Sequence, residues 1–376
     1  MARAREHTFL EFFAGGGMAR LGLGPQWRCV FANDFDPAKG DAYAENFGDD
    51  HFRAGDIHDL CASDLPPGVA DLAWASFPCQ DLSLAGARGG LAAPRSGAFF
   101  GFWSLIEQLA REKRRPRSIV IENVVGLLTS NEGRDLARLV ALIARAGYFV
   151  TALVINARDF VPQSRPRLFV IALDSDARLT PAAPGIDSAA PQALHEMAAR
   201  LPAAARRRWR WIDARPAALR NFDLIDILDD DAPFDSKAAT RARIAAMAPR
   251  QRAALDALIA GRGRHVGAAF RRIRVEKGRK RARIEARFDG LAGCLRTPAG
   301  GSSRQIILDV NEGKVRSRLM TPREAARAMG LPDDYRLPQS ATAALKLIGD
   351  GVSPPVVAWL AEYVLEPSLV QAQKAA

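Results

Sequence analysis

An open, doubly wound α/β sheet, mostly parallel, with a smaller and more irregular β-containing second domain is the architecture this sequence predicts. Three observations point to it. Short apolar runs alternate with helical segments from residue 8 to residue 173. The texture then changes, up to about Arg304, to stretches rich in Ala, Pro and Arg. The chain has 376 residues, enough for two unequal cores.

The expected strands are Thr8–Phe13, Cys29–Asn33, Leu72–Ser76, Ser118–Glu122, Val150–Asn156 and Leu168–Leu173, each a short apolar run. Between them the spacing predicts helices over Met18–Leu23, Ala38–Phe47, Phe99–Arg111 and Gly133–Ala146, with another after Pro354. The segment Thr180–Ala204, rich in Ala and Pro, reads as a linker or surface excursion. No stretch approaches the roughly 18 uninterrupted apolar residues of a membrane span. The N-terminus lacks a signal-type apolar region, so a soluble, cytoplasmic protein is expected. Cys29, Cys61, Cys79 and Cys294 lie far apart, with neither zinc-ligand nor disulfide-framework spacing; free thiols and no metal are expected.

Charge indicates a partner. Fifty-three Lys and Arg against 42 Asp and Glu give +11, a surplus that favours a polyanion. Between Arg262 and Arg287, eleven basic residues face two acids, so +9 falls within 26 residues. The run alternates: Arg272 and Arg274 against Ile273 and Val275, then Arg281 and Arg283 against Ala282 and Ile284. That pattern predicts a β-hairpin with one apolar and one cationic face, suited to phosphate contacts, the alternative being a solvated face.

Candidate chemistry clusters at strand ends. After the first strand comes Phe13-Ala14-Gly15-Gly16-Gly17, a turn whose glycines let backbone approach a ligand at a helix N-terminus. The second strand ends in Asn33-Asp34-Phe35-Asp36, where an acid can take ribose hydroxyls or merely cap the next helix. Gly55-Asp56-Ile57 offers a carboxylate for an adenine amine, or a turn acid. Pro78-Cys79-Gln80-Asp81-Leu82-Ser83 follows the third long strand, Glu122-Asn123-Val124 ends the next, and Gln163-Ser164-Arg165-Pro166-Arg167 precedes another.

In this order the motifs resemble those of the DNA cytosine-5 methyltransferases over most of the chain. The resemblance implies the S-adenosylmethionine-dependent methyltransferase fold, with Phe13, Ala14, Gly15, Gly17, Asp34, Phe35, Asp56, Ile57 and Pro78 at the cosubstrate. Cys79 is implied as nucleophile, Glu122 as the base-recognising acid, and Arg165 and Arg167 as the paired arginines. Arg318–Pro332 resembles the motif supporting target recognition, and Leu347–Pro355 the last motif, which in the family folds beside the first. The variable recognition region would then hold the hairpin and Arg296–Arg304, with Gln80, Ser83, Arg272, Arg274, Arg281, Arg283, Ser302, Ser303 and Arg304 contacting double-stranded DNA. Residues 1–175 with 340–376 are expected to form the catalytic and cosubstrate-binding domain, and 176–339 the recognition domain. A monomer in a restriction–modification setting is expected, its companion endonuclease forming no stable complex with it.

The resemblance implies addition of the Cys79 thiolate to cytosine C6, which makes C5 nucleophilic, on a base flipped from the duplex. Two positions depart from the family pattern: Met18 stands where a glycine is usual, and Asp350 where an asparagine is usual. Asp350 is therefore expected to be ion-paired, with Arg165 and Arg167 as the natural candidates, or turned from DNA. An RNA cytosine methyltransferase is disfavoured, because rRNA enzymes use two site cysteines and the tRNA branch a Cys-Phe-Thr signature that this chain lacks. A non-catalytic DNA-binding module is opposed by the presence of Cys79, Glu122 and Arg165 together.

Overall fold

The computed structural model of the chain describes residues 6–77, 97–174, 190–212, 220–276, 278–297 and 304–369. By packing, the chain divides into two compact units. The first comprises Met1–Ile155, Pro166–Pro216 and Val356–Ala376; the second comprises Asn156–Arg165 and Ala217–Pro355.

The first unit is built on seven strands: β1 (His7–Phe12), β2 (Trp27–Asp34), β3 (Phe52–Ala54), β4 (Leu72–Ala75), β5 (Ser118–Val124), β6 (Phe149–Asn156) and β7 (Pro166–Leu173), in the order β3-β2-β1-β4-β5-β7-β6. The first five pair in parallel, and β7 runs antiparallel to β5. The crossovers run through α1 (Met18–Leu23), α2 (Pro37–Phe47), α3 (Gly97–Arg111) and α4 (Arg134–Arg145). Helix α4 carries the chain past one position in the sheet. The nine residues between β6 and β7 are too few for another crossover, so β7 returns antiparallel into the gap. Every residue of β4 is buried, as expected for a strand covered on both faces. Phe12, Phe31, Phe102, Ile121, Val140 and Val170 are part of the core. The supposed linker contributes to that core as well. Gln192–Ala199 is helical, and Leu194 and Met197 are 1% exposed, because the apolar positions of that segment fall on one helix face.

The second unit carries an antiparallel sheet of β8 (Arg264–Glu276), β9 (Arg279–Arg287), β10 (Ile306–Asn311) and β11 (Lys314–Leu319), in the order β11-β10-β8-β9. Met247, Leu255, Ala269, Ile284 and Leu308 pack against one another there. In the same unit Arg318, on the edge strand β11, donates to both oxygens of Glu324, at 2.5 and 2.7 Å, and both residues are nearly inaccessible. Burial opposes ionisation of Glu324. Hydrogen bonds from Arg318 and from the backbone of Asp229 and Thr321 outweigh it and hold the carboxyl below its usual range. The helix Ala341–Asp350, expected with residues 356–376, belongs to this unit instead. The segment that follows it is tied there by Ser353 Oγ, which donates to Met329 O at 2.9 Å. Among the described residues, no helix is long and apolar enough to cross a membrane.

The first unit also buries a polar cluster behind the turn that follows β1. Glu11, 1% exposed, accepts from the Arg20 backbone N–H at 3.3 Å, and its other oxygen has no partner among the described residues. The Arg20 guanidinium lies 4.7 Å from the Phe47 ring centroid and donates to the Tyr43 hydroxyl at 3.0 Å. That hydroxyl also meets His51 Nε2 at 3.1 Å. Burial pushes the Glu11 carboxyl up to about 8, against the lowering pull of Arg20. A carboxyl raised in the fold binds its proton more tightly than in the unfolded chain. The stability it contributes is complete below the unfolded value near 4.5 and is lost as pH rises through 8. Glu11→Gln should therefore flatten the fall in Tm between about pH 5 and pH 8 and add on the order of 3 kcal/mol at the upper end. Parallel Tm–pH curves for the two proteins would contradict this.

Candidate active site

The carboxyl edge of the parallel strands gathers the polar groups of the first unit. The turn after β1 is left-handed at Phe13 (φ 58), Gly15 (φ 55) and Gly17 (φ 73). The two glycines answer different demands. A Cβ on Gly17 would come within 2.5 Å of the Phe47 ring, whereas one on Gly15 meets nothing within 4 Å, so only Gly15 leaves the backbone open. Ala14 N donates to Asn33 O at 2.9 Å and moors the turn to β2. Met18 opens α1 and is 2% exposed, a core residue.

Asp34, 6% exposed, accepts from Gly15 N (2.8 Å) and Asp36 N (2.9 Å), one with each oxygen. A carboxylate has about four acceptor sites, so two remain for hydroxyl donors. Capping falls to the neighbour: Asp36 accepts from Ala38 N at 3.1 Å and starts α2. Phe35 is 68% exposed. Asp56 caps a short 3-10 turn, accepting from His58 N at 3.0 Å, with its side chain exposed and Ile57 buried. Two acids with spare lone pairs, an exposed ring and open backbone at Gly15 and Gly55 suit a ligand with vicinal hydroxyls and a flat base.

Further along the same edge, β5 presents Glu122, whose Oε1 lies 3.0 Å from Arg167 Nε on β7. The pair is mostly buried. In the antiparallel register Glu122 faces Phe169 and Val124 faces Arg167, so the arginine reaches Glu122 diagonally on one face. Asn123 turns its amide inward, and its Nδ2 is buried without a partner among the described residues. Pro78, Cys79, Gln80 and Ser83 lie outside the described residues, as do Ser302 and Ser303. The described cysteines are poor nucleophiles or differently placed. Burial pushes the Cys29 thiol up to about 12, Cys61 is engaged with Ser63 and Asp64 in a turn, and Cys294 belongs to the second unit.

Arg165 belongs to the second unit and works differently from Arg167. It is 2% exposed and donates to three carbonyls: Leu295 O (2.8 Å), Gly349 O (2.9 Å) and Gly351 O (2.6 Å). Those bonds clamp the segment before Arg296 to the segment around Asp350. Gln163, fully buried, reinforces the clamp by accepting from Leu295 N at 3.1 Å and donating to Ala328 O at 2.9 Å. Its position in the Gln-Ser-Arg-Pro-Arg stretch was legible, but its partners lie more than 130 residues away in sequence. The Asp350 carboxylate accepts from the Thr297 hydroxyl. Arg304 is half-buried beside a small cavity lined in part by Met320 and Leu345, and its Nε has no partner among the described residues.

The expected cationic hairpin forms, with Arg272 opposite Arg283 and Arg274 opposite Arg281, and Arg279 and Lys280 pair within the ladder. Its apolar face is only partly covered, since Ile273 and Val275 are 58% and 69% exposed while Ile284 is buried. Arg272 and Arg274 both pair with Glu285, Arg272 at 3.2 Å. Arg281 is exposed.

Comparison with known proteins bears on all of this. The sequence model of one family, described as C-5 cytosine-specific DNA methylase, matches residues 7–366. The type II methyltransferase M.HpaII of Haemophilus parainfluenzae is 26% identical over 96% of this chain and 89% of its own length. M.NlaX of Neisseria lactamica is 29% identical over 94% of both. In fold, the chain resembles the S. pombe Dnmt2 methyltransferase, with a TM-score of 0.60 and 17% identity over 96% of this chain and 98% of that one. It also resembles an E. coli prophage-encoded putative DNA modification methyltransferase, with a TM-score of 0.57 and 17% identity over 96% and 99%.

Removing the Arg165 guanidinium leaves three carbonyls without that donor. At about 1–3 kcal/mol for each buried polar group left unpaired, Arg165→Ala should cost on the order of 3 kcal/mol or more. Arg165→Lys should recover only part, because an ammonium lacks the forked reach. Urea midpoints read the difference, and a wild-type midpoint for Arg165→Ala would show the clamp to be idle.

Proposed function

The chain belongs to the C-5 cytosine-specific DNA methylase family, and from that premise we propose that it methylates carbon 5 of a cytosine within a specific double-stranded sequence, with S-adenosylmethionine as donor and Cys79 as nucleophile. The carrying observation is the Glu122–Arg167 pair, held at the same sheet edge as Gly15, Asp34 and Phe35. A base-binding acid and a nucleoside cradle on one edge are what this reaction requires.

S-adenosylmethionine supplies an electrophilic methyl group when bound. Asp34 would take the ribose hydroxyls, Phe35 and Ile57 the faces of the adenine, and Asp56 its amine. Phe13, Ala14, Gly15, Gly17 and Pro78 would line the cradle. Cytosine C5 is too weak a nucleophile by itself. Addition of the Cys79 thiolate at C6 would form a C–S bond and push an electron pair to C5, which would take the methyl group as its bond to the donor sulfonium breaks and leaves a neutral thioether. Glu122, carrying a proton as the base enters, would donate to ring N3 and accept from the exocyclic amine, stabilising the charge that addition pushes into the ring. Arg167 orients that carboxyl. A base then removes the C5 proton, and elimination of Cys79 restores the ring. Reaching C5 requires flipping the cytosine from the duplex, at a cost of a few kcal/mol. The antiparallel sheet of the second unit would read the target. Gln80 and Ser83 would contact the opened duplex, and Arg272, Arg274, Arg281, Arg283, Ser302, Ser303 and Arg304 the bound DNA. The enzyme would act as a monomer, separate from any companion endonuclease.

Cys79→Ser should abolish methylation while leaving S-adenosylmethionine binding nearly intact, since the thiolate acts only on the base. DNA carrying 5-fluorocytosine should trap an adduct at Cys79, because fluorine cannot leave as a proton does. Methylation by Cys79→Ser, or an adduct at another residue, would sink the assignment.

The hairpin yields a separate test. Glu285 neutralises part of the charge on Arg272 and Arg274, so Glu285→Gln should tighten DNA binding and steepen its salt dependence. Arg281→Ala should flatten the log–log salt slope by about 0.9. If neither variant changes the slope, the hairpin is a solvated face.

A further inference from the structure

A second concentration of positive charge lies in the first unit, at the opposite edge of the sheet. There β4, β5 and β6 begin, at Leu72, Ser118 and Phe149, and β7 ends at Leu173. A cleft of about 990 Å³ opens among Arg111, Lys113, Arg117, Arg145 and Leu173. A neighbouring cleft of about 630 Å³ shares Arg145 and adds Phe149, Arg207 and Arg208.

These cations fall into two groups. Arg115 pairs with Asp174 and covers the Tyr148 ring at 4.4 Å, and Arg117 lies 3.6 Å from Asp71; both serve the fold. The others have no such answer. Lys113, Arg145 and Arg207 are exposed, and among the described residues none of them has an ion-pair partner. Arg111 comes no nearer to Glu107 than 4.0 Å. Arg208 donates to Gly147 O at 2.6 Å, while Arg210 lies 3.9 Å from the Phe149 ring centroid and donates to the carbonyls of Arg207 and Trp209. Carbonyl and ring contacts hold these guanidiniums in place without neutralising them.

Unanswered like charges on one surface repel one another and add nothing to stability, while their field attracts a polyanion. The clefts are open and shared at Arg145, a shape that follows a backbone rather than enclosing a small anion. The site also lies away from Glu122. Four residue steps along β5 separate Ser118 from Glu122, roughly 13 Å at about 3.3 Å per residue, and Lys113 lies beyond Ser118 in the opposite direction. A duplex held at the carboxyl edge would leave this face uncovered.

We propose that the surface centred on Lys113, Arg145 and Arg207 is an accessory site for the phosphate backbone of a second segment of duplex DNA, bound without reading bases. The proposal rests on DNA being the substrate, and one experiment keeps the two apart. The full chain is titrated at low ionic strength with a fluorescent 16-bp duplex, and the stoichiometry is read by sedimentation alongside methylation of the same duplex at saturation. Wild-type protein should take up two duplexes and the K113Q/R145Q/R207Q variant one, with kcat unchanged because none of the three residues approaches the reacting edge. The second uptake by the wild-type protein should vanish with added salt, with a log–log slope of at least three charges, each counting for about 0.9. A single duplex on an active wild-type enzyme, or two on the variant, would overturn the accessory site and leave the methyltransferase reading standing. An inactive wild-type chain that binds no duplex would remove both.

Discussion

Glu122 is a carboxylate that the sheet buries, and a buried charge is tolerated only with a partner in place. That partner, Arg167, is available because β7 enters the sheet antiparallel to β5. The chain then starts β7 at the edge where β5 ends, and the register sets Arg167 diagonally across from Glu122 on one face. Had β7 run parallel, its first residues would lie at the amino edge, beyond reach. The reversal itself follows from the short connection after β6. One constraint on chain length therefore places the acid–arginine pair, and the parallel strands beside it bring the Gly15 turn and Asp34 to the same edge.

The five residues Gln163 to Arg167 show how closely spaced side chains can serve different structures. Gln163 and Arg165 turn into the second unit and bind its backbone carbonyls and amides, whereas Arg167, beyond the proline that opens β7, serves Glu122. Arg165 thus acts by positioning. Its forked guanidinium holds the chain before Arg296 and the chain around Asp350, and no residue lacking several fixed donors could span both.

Net charge is also less uniform than composition suggests. The acidic stretch from Asp226 to Asp235 is partly answered within its own unit, by Arg264 at Asp230 and Arg243 at Asp235. Asp309, fully buried, takes Arg264 and Arg316. Glu285 does the same for half of the four hairpin arginines named as phosphate contacts. A separate group of cations without ion-pair partners among the described residues lies in the first unit, around Arg145 and Arg207.

Local sequence was sufficient for the alternation of strands and helices, the glycine turn, the hairpin and the strand ends that carry Asp34 and Glu122. Each follows from periodicity or from a backbone conformation that few residues adopt, and such signals are written within a dozen positions. The family was legible for the same reason, as an ordered set of short motifs. Only the tertiary structure separated Asp36, which caps a helix, from Asp34, and Gly17, excluded from bearing a side chain by Phe47, from Gly15. It also moved Ala341–Asp350 into the second unit and turned Gln192–Ala199 from linker into core. The partners of Glu11 and Arg165 were equally invisible, since burial and pairing across long separations depend on which surfaces meet, and no local pattern encodes that.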